Sequence, residues 1–244
     1  MLSTLRRFFA LVVMLMALTF SPTTALPNIR VLPLGDSITK GTGSSGIVGY
    51  RLPLRQKILA KGVKVNMVGT LKNGNMVDAH HEGHSGKLIS DINGYWQVPI
   101  KARPNVVLIH AGTNNMDRGI DLDIGADIMA DIVDGIFKVA PDVTILLAPI
   151  IWANDATMQA KTDKFNPKLR ALIAARQKAG KKILEVPIDI KKADLADSKH
   201  PNDAGYEKMA NAWLKGILEA DKKGWLKTPI PMKESDAPGT GLGA

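Results

Sequence analysis

The chain of 244 residues is long enough to bury a sizeable core and fits one α/β domain with processing segments. Its content of 45% hydrophobic and 23% charged residues is typical of a globular protein and excludes a disordered or fibrous one. The absence of cysteine excludes thiolate and disulfide chemistry. The formal net charge of +9 is compatible with binding to anionic polymers. The lysines are scattered without interleaved aromatic residues, so we predict no nucleic-acid binding.

The first 25 residues have the layout of a cleavable secretory signal. Arg6 and Arg7 precede an apolar run over residues 8–20, and small residues follow at 23–25. The run is short for a spanning helix, and a membrane anchor is the alternative. We therefore expect a signal peptide over residues 1–25 and a secreted, extracellular chain that has no membrane contact after cleavage.

From residue 26 onwards, short apolar runs alternate with amphipathic stretches, which is typical of a parallel sheet covered by helices. Five strands are predicted, at residues 29–34, 63–68, 106–110, 143–148 and 182–186. About five helices are predicted, including one over residues 50–61 and one that closes before Gly180. The domain should span residues 26–230 and be followed by a disordered tail at 231–244.

One helix is predicted over residues 122–139 from apolar residues at helical spacing. The buried stripe of this helix should consist of Ile124, Ile128, Ile132, Ile136 and Val139. A last long helix is indicated by an apolar stripe from Tyr206 to Ile217, and its aromatic residues are expected to belong to the core.

A first polar segment, residues 35–39 (the serine loop), directly follows the first predicted strand. Ligands bind beyond the carboxyl ends of parallel strands, so Ser37 lies where a functional site is expected. A serine hydroxyl needs a base to become a nucleophile. The alternative is that Asp36 or Ser37 only caps a turn.

A second segment, residues 197–201 (the histidine loop), follows the fifth predicted strand and supplies a candidate base. Asp197 and His200 are three residues apart, so the carboxylate can hold the imidazole in the tautomer that accepts the serine proton. Pro201 disfavours helical geometry at His200. A plain helix start is the alternative reading of this segment.

Two further polar segments follow predicted strands at the same edge. In residues 111–114 (the asparagine loop), Asn114 can aim its amide at a developing oxyanion. In residues 82–86 (the glycine loop), Gly86 lets the backbone approach a substrate and supplies an N–H group. Each segment alone could be an ordinary turn.

Together, the four segments resemble the SGNH, or GDSL, hydrolase superfamily, in which serine, glycine, asparagine and histidine occur in this order. Residues 32–39, 49–51, 81–86 and 200–206 look most like carbohydrate esterase family 3, the acetyl xylan esterases. The resemblance implies a flavodoxin-like three-layer α/β/α sandwich with a five-stranded parallel sheet. It also implies a Ser37–His200–Asp197 triad, an oxyanion hole from Ser37, Gly86 and Asn114, and chemistry without metal or cofactor.

Four residues depart from the pattern of this family. Asn115 stands where aspartate is usual, and Lys87 stands where an aromatic residue is common. Ser198 and Lys199 replace a small apolar pair before the histidine. These changes bear on substrate preference and on the pH optimum more than on the chemistry.

Other interpretations of the polar residues are weaker. His80, His81 and His84 could bind zinc, but they lack paired-ligand spacing, and loop hydrogen bonding accounts for them better. The glycine-rich residues 41–46 could cradle a phosphate, but no Lys-Ser/Thr pair follows. Trp152 is the one tryptophan expected near the cleft, where it could stack on a sugar.

The sequence thus predicts a secreted, monomeric serine esterase that removes O-acetyl groups from xylan or a related polysaccharide or oligosaccharide. A lysophospholipase or short-chain lipase is the alternative within enzymes, because fold and triad do not determine the leaving group. A non-catalytic carbohydrate-binding protein is the alternative of another class.

Overall fold

The computed structural model describes residues 26–231, and its centre is the predicted parallel sheet. The predicted signal peptide and nearly all of the predicted tail lie outside these residues. Five strands run parallel in the order β2-β1-β5-β6-β7. Their bounds are β1 Ile29–Gly35, β2 Val65–Met67, β5 Val106–His110, β6 Thr144–Leu147 and β7 Ile183–Glu185. All five predicted strands are present.

Two more strands extend the sheet, so the prediction of a five-stranded sheet was incomplete. β4 (His80–Gly83) pairs in parallel with the end of β1, and β3 (Leu71–Lys72) pairs antiparallel with β4. β2 reaches only the first half of β1, which leaves the end of β1 for β4 to pair with. The glycine loop therefore begins within the last two residues of β4 and does not follow β2. All four residues of β4 are buried although the segment is polar, which is why hydropathy did not reveal it.

Helices cover both faces of the sheet, which confirms the three-layer α/β/α prediction. Core residues of α2 and α7 pack on one face, and those of α5 and α6 pack on the other. The described chain contains seven α-helices, three of them six residues long or shorter: α1 Ser37–Lys40, α2 Arg51–Leu59, α3 Ile89–Ile92, α4 Thr113–Arg118, α5 Gly125–Val139, α6 Ala156–Lys178 and α7 Asp203–Lys222. No helix within residues 26–231 combines the length and hydropathy needed to cross a bilayer.

The helix predicted over residues 122–139 begins three residues later, at Gly125. Asp121 has a left-handed backbone (φ 57°), and its carbonyl accepts a hydrogen bond from Gly125 N at 2.7 Å. The predicted stripe was wrong at both ends, because Ile124 is 54% exposed and Val139 is 59% exposed. The buried residues of this helix are Gly125, Ala126, Met129, Ile132, Val133, Ile136 and Phe137.

Arg51 is fully buried and joins the segments that surround the serine loop. Its guanidinium lies 2.8–3.2 Å from five backbone carbonyls, those of Thr39, Lys40, Ile47, Asn73 and Ala79. Burial lowers the pKa of Arg51 to about 10, which leaves it protonated at neutral pH. One buried cation therefore ties the end of α1 to the loop after it and to the β3–β4 connection.

His81 forms a second buried link in the same region. Its Nδ1 accepts a hydrogen bond from Gly83 N at 2.9 Å, so its Nε2 carries the proton that is donated to Asn73 Oδ1. Burial lowers the pKa of His81 to about 3, and the nearby positive charges of Arg51 and His84 act in the same direction. The imidazole is therefore neutral in the folded protein down to acidic pH.

We expect Arg51→Met to lower the free energy of unfolding by about 3–5 kcal/mol, because a buried acceptor that loses its donor costs about 1–3 kcal/mol. Urea denaturation of the purified chain measures this loss. Arg170→Met is the control, because Arg170 is half-exposed and pairs at the surface with Glu185, and such pairs contribute about 0–1 kcal/mol. Equal losses in the two variants would contradict the anchoring role of Arg51.

We expect His81→Gln to change how stability depends on pH. In the unfolded chain His81 titrates near its ordinary value of 6.5, whereas in the folded chain it titrates near 3. Between these pH values the unfolded state binds more protons, so wild-type stability falls as the pH falls from 6.5 towards 3. The glutamine variant lacks this contribution.

The stability difference between wild type and His81→Gln should therefore be smaller at pH 4.5 than at pH 7.5, as measured by urea denaturation at both values. A difference that stays constant across this range would show that His81 does not remain neutral in the folded state.

Candidate functional site

The candidate site lies at the carboxyl edge of the sheet, where three neighbouring strands end in register. Gly35, the last residue of β1, is paired with Gly83 on one side and with His110 on the other. His84 N also donates a hydrogen bond to Gly35 O at 2.9 Å. The serine, glycine and asparagine loops therefore leave the sheet side by side.

Ser37 is the first residue of the one-turn helix α1 and is 6% exposed. The carboxylate of Asp36 caps this helix by accepting a hydrogen bond from Ile38 N at 3.0 Å. Capping thus falls to Asp36, and the Ser37 hydroxyl points to His200. As the first residue of a helix, Ser37 has a backbone N–H group without an intrahelical acceptor.

The histidine loop folds back on itself before α7 begins. Ala196 N donates to His200 O at 2.8 Å, and Leu195 and Pro201 form an antiparallel bridge. Asn202 then caps α7 by accepting from Gly205 N at 3.0 Å. His200 is thereby held outside the helix at the sheet edge.

Ser37, His200 and Asp197 form a continuous chain of hydrogen bonds. Ser37 Oγ lies 2.9 Å from His200 Nε2, and His200 Nδ1 lies 2.7 Å from Asp197 Oδ2. Because the carboxylate only accepts, Nδ1 donates to it, and Nε2 is left to accept from the serine hydroxyl. This arrangement can remove the hydroxyl proton as Ser37 attacks an electrophile.

Asp197 is held as a carboxylate by its own loop, although its side chain is 52% exposed. Partial burial acts to raise its pKa, but hydrogen bonds from the backbone N–H groups of His200 (2.8 Å) and Lys199 (2.9 Å) and from the imidazole outweigh it. The pKa of Asp197 is therefore below its usual value. An ionised partner favours the imidazolium that forms when His200 takes a proton.

Asn114 belongs to α4 and is 4% exposed. Its Nδ2 donates a hydrogen bond to Lys87 O at 2.9 Å, which links the asparagine side chain to the residue that follows Gly86. Gly86 has a left-handed backbone (φ 75°), which favours glycine. The structure thus brings Gly86 and Asn114 together beside the serine loop.

Asn115, one of the positions that depart from the resembled family, is fully buried beside Asn114. Its Oδ1 accepts from Ile89 N at 3.0 Å, and its Nδ2 donates to Ile120 O at 3.1 Å. A carboxylate could accept the first hydrogen bond but could not donate the second. Asn115 therefore ties α3 to the end of α4.

A hydrogen-bond network within the glycine loop was missed in the sequence. Glu82 is 1% exposed and accepts hydrogen bonds from Thr70 N at 2.7 Å and from His84 Nε2 at 2.6 Å. The His84 ring in turn stacks on Tyr95, with centroids 3.9 Å apart. These contacts fix the loop that carries Gly86.

An ion pair across the site was also missed. Lys199 Nζ lies 2.5 Å from Asp117 Oδ2, so the histidine loop is joined to α4. The segment that carries Trp152 contacts the same loop, because Asn154 N donates to Ser198 O at 2.8 Å. Trp152 itself is half-buried after the end of β6.

Two of the three histidines considered as zinc ligands have hydrogen-bond partners in their own loop region. His81 and His84 are bound to Asn73 and Glu82, and His80 Nδ1 lies 3.7 Å from Asp78 Oδ1. The described residues contain no cluster of three or more side chains able to hold a metal ion. Loop hydrogen bonding thus accounts for His81 and His84, whereas the Nδ1 of buried His80 has no hydrogen-bond partner among the described residues.

The glycine-rich residues 41–46 pack against the histidine loop. A Cβ at Gly43, whose φ is 93°, would lie 2.6 Å from Pro201 O and 3.2 Å from His200 Cβ. Only glycine permits this approach. The segment therefore supports the candidate base, and no anion-binding role is needed to explain its composition.

Two curated relatives are similar in sequence. The chain is 29% identical over 270 residues to a multidomain esterase of Ruminococcus flavefaciens, a match that covers 92% of this chain and 33% of that protein. It is 28% identical over 144 residues to a putative endoglucanase X of Acetivibrio thermocellus, which covers 57% of this chain and 59% of that protein. The chain therefore spans a third to three fifths of the length of these relatives.

Solved structures share the fold. A family 3 carbohydrate esterase of Clostridium thermocellum has a TM-score of 0.69 and 27% identity, covering 80% of this chain and 98% of that one. A carbohydrate esterase family 3 structure from Talaromyces cellulolyticus has a TM-score of 0.64 and 20% identity, covering 80% and 99%. The similarity to the second structure, at 20% identity, shows a shared fold only.

The model of one protein family matches most of the described chain. The match extends over residues 34–208, from the end of β1 into α7, and so includes all four loops at the sheet edge. The resemblance noted in the sequence is confirmed. The chain belongs to the GDSL-like lipase/acylhydrolase family.

Proposed function

We propose that the protein is a serine esterase that removes O-acetyl groups from xylan or a related carbohydrate outside the cell. The observation that carries the proposal is the hydrogen-bonded chain Ser37–His200–Asp197, which lies at the same sheet edge as Gly86 and Asn114. A hydroxyl, a base and a carboxylate in this order are what attack on an ester requires.

In the proposed reaction, Ser37 Oγ attacks the ester carbonyl while His200 Nε2 takes its proton. Asp197 orients the imidazole and stabilises the imidazolium. His200 then gives the proton to the departing sugar oxygen, which leaves an acetyl group on Ser37. Water attacks this acyl-enzyme with His200 again as the base, and acetate is released.

The oxyanion formed in each step would be stabilised by three N–H donors. These are the backbone N–H groups of Ser37 and Gly86 and the side chain of Asn114. One hydrogen of the Asn114 amide bonds to Lys87 O, which fixes the amide and leaves its second hydrogen for the oxyanion. All reacting groups come from the chain, so we expect no cofactor or metal requirement.

Acetylated carbohydrate is the substrate class supported best. The similar structure from Clostridium thermocellum is a carbohydrate esterase, and a relative is named an esterase. The cavity beside the glycine loop is lined by polar side chains with Leu71 as its one aliphatic member among the described residues. These lining residues form no extended aliphatic or aromatic groove for the long acyl chain of a lysophospholipid.

A non-catalytic carbohydrate-binding role is the other class of function. A binding protein has no need for an imidazole poised 2.9 Å from a serine hydroxyl and held by a carboxylate. The catalytic proposal accounts for this contact, and the binding alternative does not.

The extracellular location and the monomeric state remain our proposals. They depend on the secretory signal read in residues 1–25 and on a domain that carries all the proposed catalytic residues itself. N-terminal sequencing of exported protein should give a start near Leu26. A product that retains residues 1–25 would contradict cleavage.

Ser37→Ala should reduce hydrolysis of a chromogenic acetate by about 10⁴-fold or more, because the nucleophile is lost. The release of the chromophore by purified wild type and variant measures the effect. Ser90→Ala is the matched control, because Ser90 is exposed and its hydroxyl bonds only to Asp121. Equal rates for wild type and Ser37→Ala would end the esterase proposal.

Acetate release from acetylated xylan should exceed fatty-acid release from a lysophospholipid at equal substrate concentration. The acid released per unit time by the wild-type chain measures the preference, with Ser37→Ala as the background for both substrates. A clear preference for the lipid would replace the carbohydrate esterase proposal by the lysophospholipase alternative.

A further inference from the structure

A cavity of about 310 Å³ lies between α1, β3 and the glycine loop, and it is rich in basic side chains. Its volume is near the lower end of the range for small-molecule sites. None of the described residues that line it is acidic. Its polar side chains are those of Lys40, Lys72, Asn73, His81, His84, Ser85 and Lys87.

Two of the three lysines in the cavity wall have side chains that are not paired with a carboxylate. The ammonium groups of Lys40 and Lys72 have no hydrogen-bond or ion-pair partner within the part of the chain described here. The third, Lys87, is 43% exposed, and its Nζ lies 3.7 Å from Asp91 Oδ1. The cavity wall therefore contains two ammonium groups that no described carboxylate pairs with.

One buried carboxylate, that of Glu82, is next in sequence to two residues of the cavity wall, but neither lysine pairs with it. Thr70 and His84 occupy the oxygens of Glu82. Burial lowers the pKa of His81 at the cavity wall, and the nearby positive charges of Arg51, His84 and Lys40 act in the same direction.

The cavity adjoins the proposed catalytic residues on two sides. Lys40 follows Ser37 by three residues in α1, and Ser85 and Lys87 flank Gly86. On another side of this glycine, Arg118 Nη2 lies 3.4 Å from the position that a Cβ on Gly86 would occupy. A group bound in the cavity would therefore lie against the two segments, α1 and the glycine loop, that carry Ser37 and Gly86.

We propose that this cavity is a subsite for an anionic substituent of the acetylated carbohydrate, namely the carboxylate of a uronic acid unit near the acetylated sugar. The inference rests on the proposed esterase function and adds a substrate preference to it. Lys40 and Lys72 would supply the charge, and the ring hydroxyls would meet the polar lining. The site would thus favour acidic over neutral acetylated glycans.

The test compares two acetylated xylo-oligosaccharides that differ only in a glucuronic acid branch. The wild-type kcat/KM should be about three- to tenfold higher for the branched one, as expected for two partly exposed ion pairs. Lys40→Gln/Lys72→Gln should remove this advantage and keep the rate on the neutral oligosaccharide. The advantage should also shrink as NaCl is raised to 0.5 M.

The control is Lys138→Gln/Lys178→Gln, which removes two exposed charges from the distant helices α5 and α6. No preference in the wild type, or an equal loss in the control, would overturn the subsite. A sulfated analogue of the branched oligosaccharide can be compared in the same assay. If kcat/KM rises only for this analogue, the assignment of the subsite to a carboxylate is overturned. Failure to deacetylate either oligosaccharide would instead count against the esterase function itself.

Discussion

The hydrogen bond of 2.9 Å between Ser37 Oγ and His200 Nε2 joins residues 163 positions apart in the chain. The two loops can meet only because the strands before them end at the same edge of one parallel sheet. On one side of this bond Asp197 sets the tautomer of the imidazole, and on the other Asp36 caps the helix that begins with Ser37. The proposed chemistry and substrate preference both depend on this contact, since without a base the hydroxyl would be an ordinary polar group.

Polar groups without a role in the proposed chemistry keep the site in place. Arg51 donates hydrogen bonds to carbonyls of the end of α1, the loop after it and the β3–β4 connection, so one side chain aligns three segments that belong to no common strand pair or helix. Glu82 and His84 do the same for the glycine loop, and the ion pair of Lys199 with Asp117 joins the histidine loop to α4. Because these groups are mostly buried and satisfied, they hold loops that would otherwise be mobile.

The sequence predicted the parts of the fold that hydrophobic patterning controls. The strands around Val107 and Leu146 are continuously apolar, and α7 carries a clear stripe, so these elements were found. β4 was missed because its buried residues are His80, His81, Glu82 and Gly83, whose burial depends on hydrogen bonds that patterning does not reveal. Arg51 shares a helix face with Leu54 and Ile58, which was a visible sign that it is buried, whereas its carbonyl partners come from distant segments that no local pattern connects. The candidate residues at the sheet edge were found because each follows a strand, but the contact between Lys199 and Asp117 required coordinates.

The most direct test of the central proposal is to label the protein with a serine-directed phosphonofluoridate, in which an activated serine oxygen bonds to phosphorus and fluoride leaves. Peptide mapping by mass spectrometry then identifies the modified residue. We predict one label, on Ser37, whose formation is at least about 10³-fold slower in His200→Ala because the base is removed. A label on another serine, or labelling of Ser37 at the same rate without His200, would contradict the proposed nucleophile and its activation.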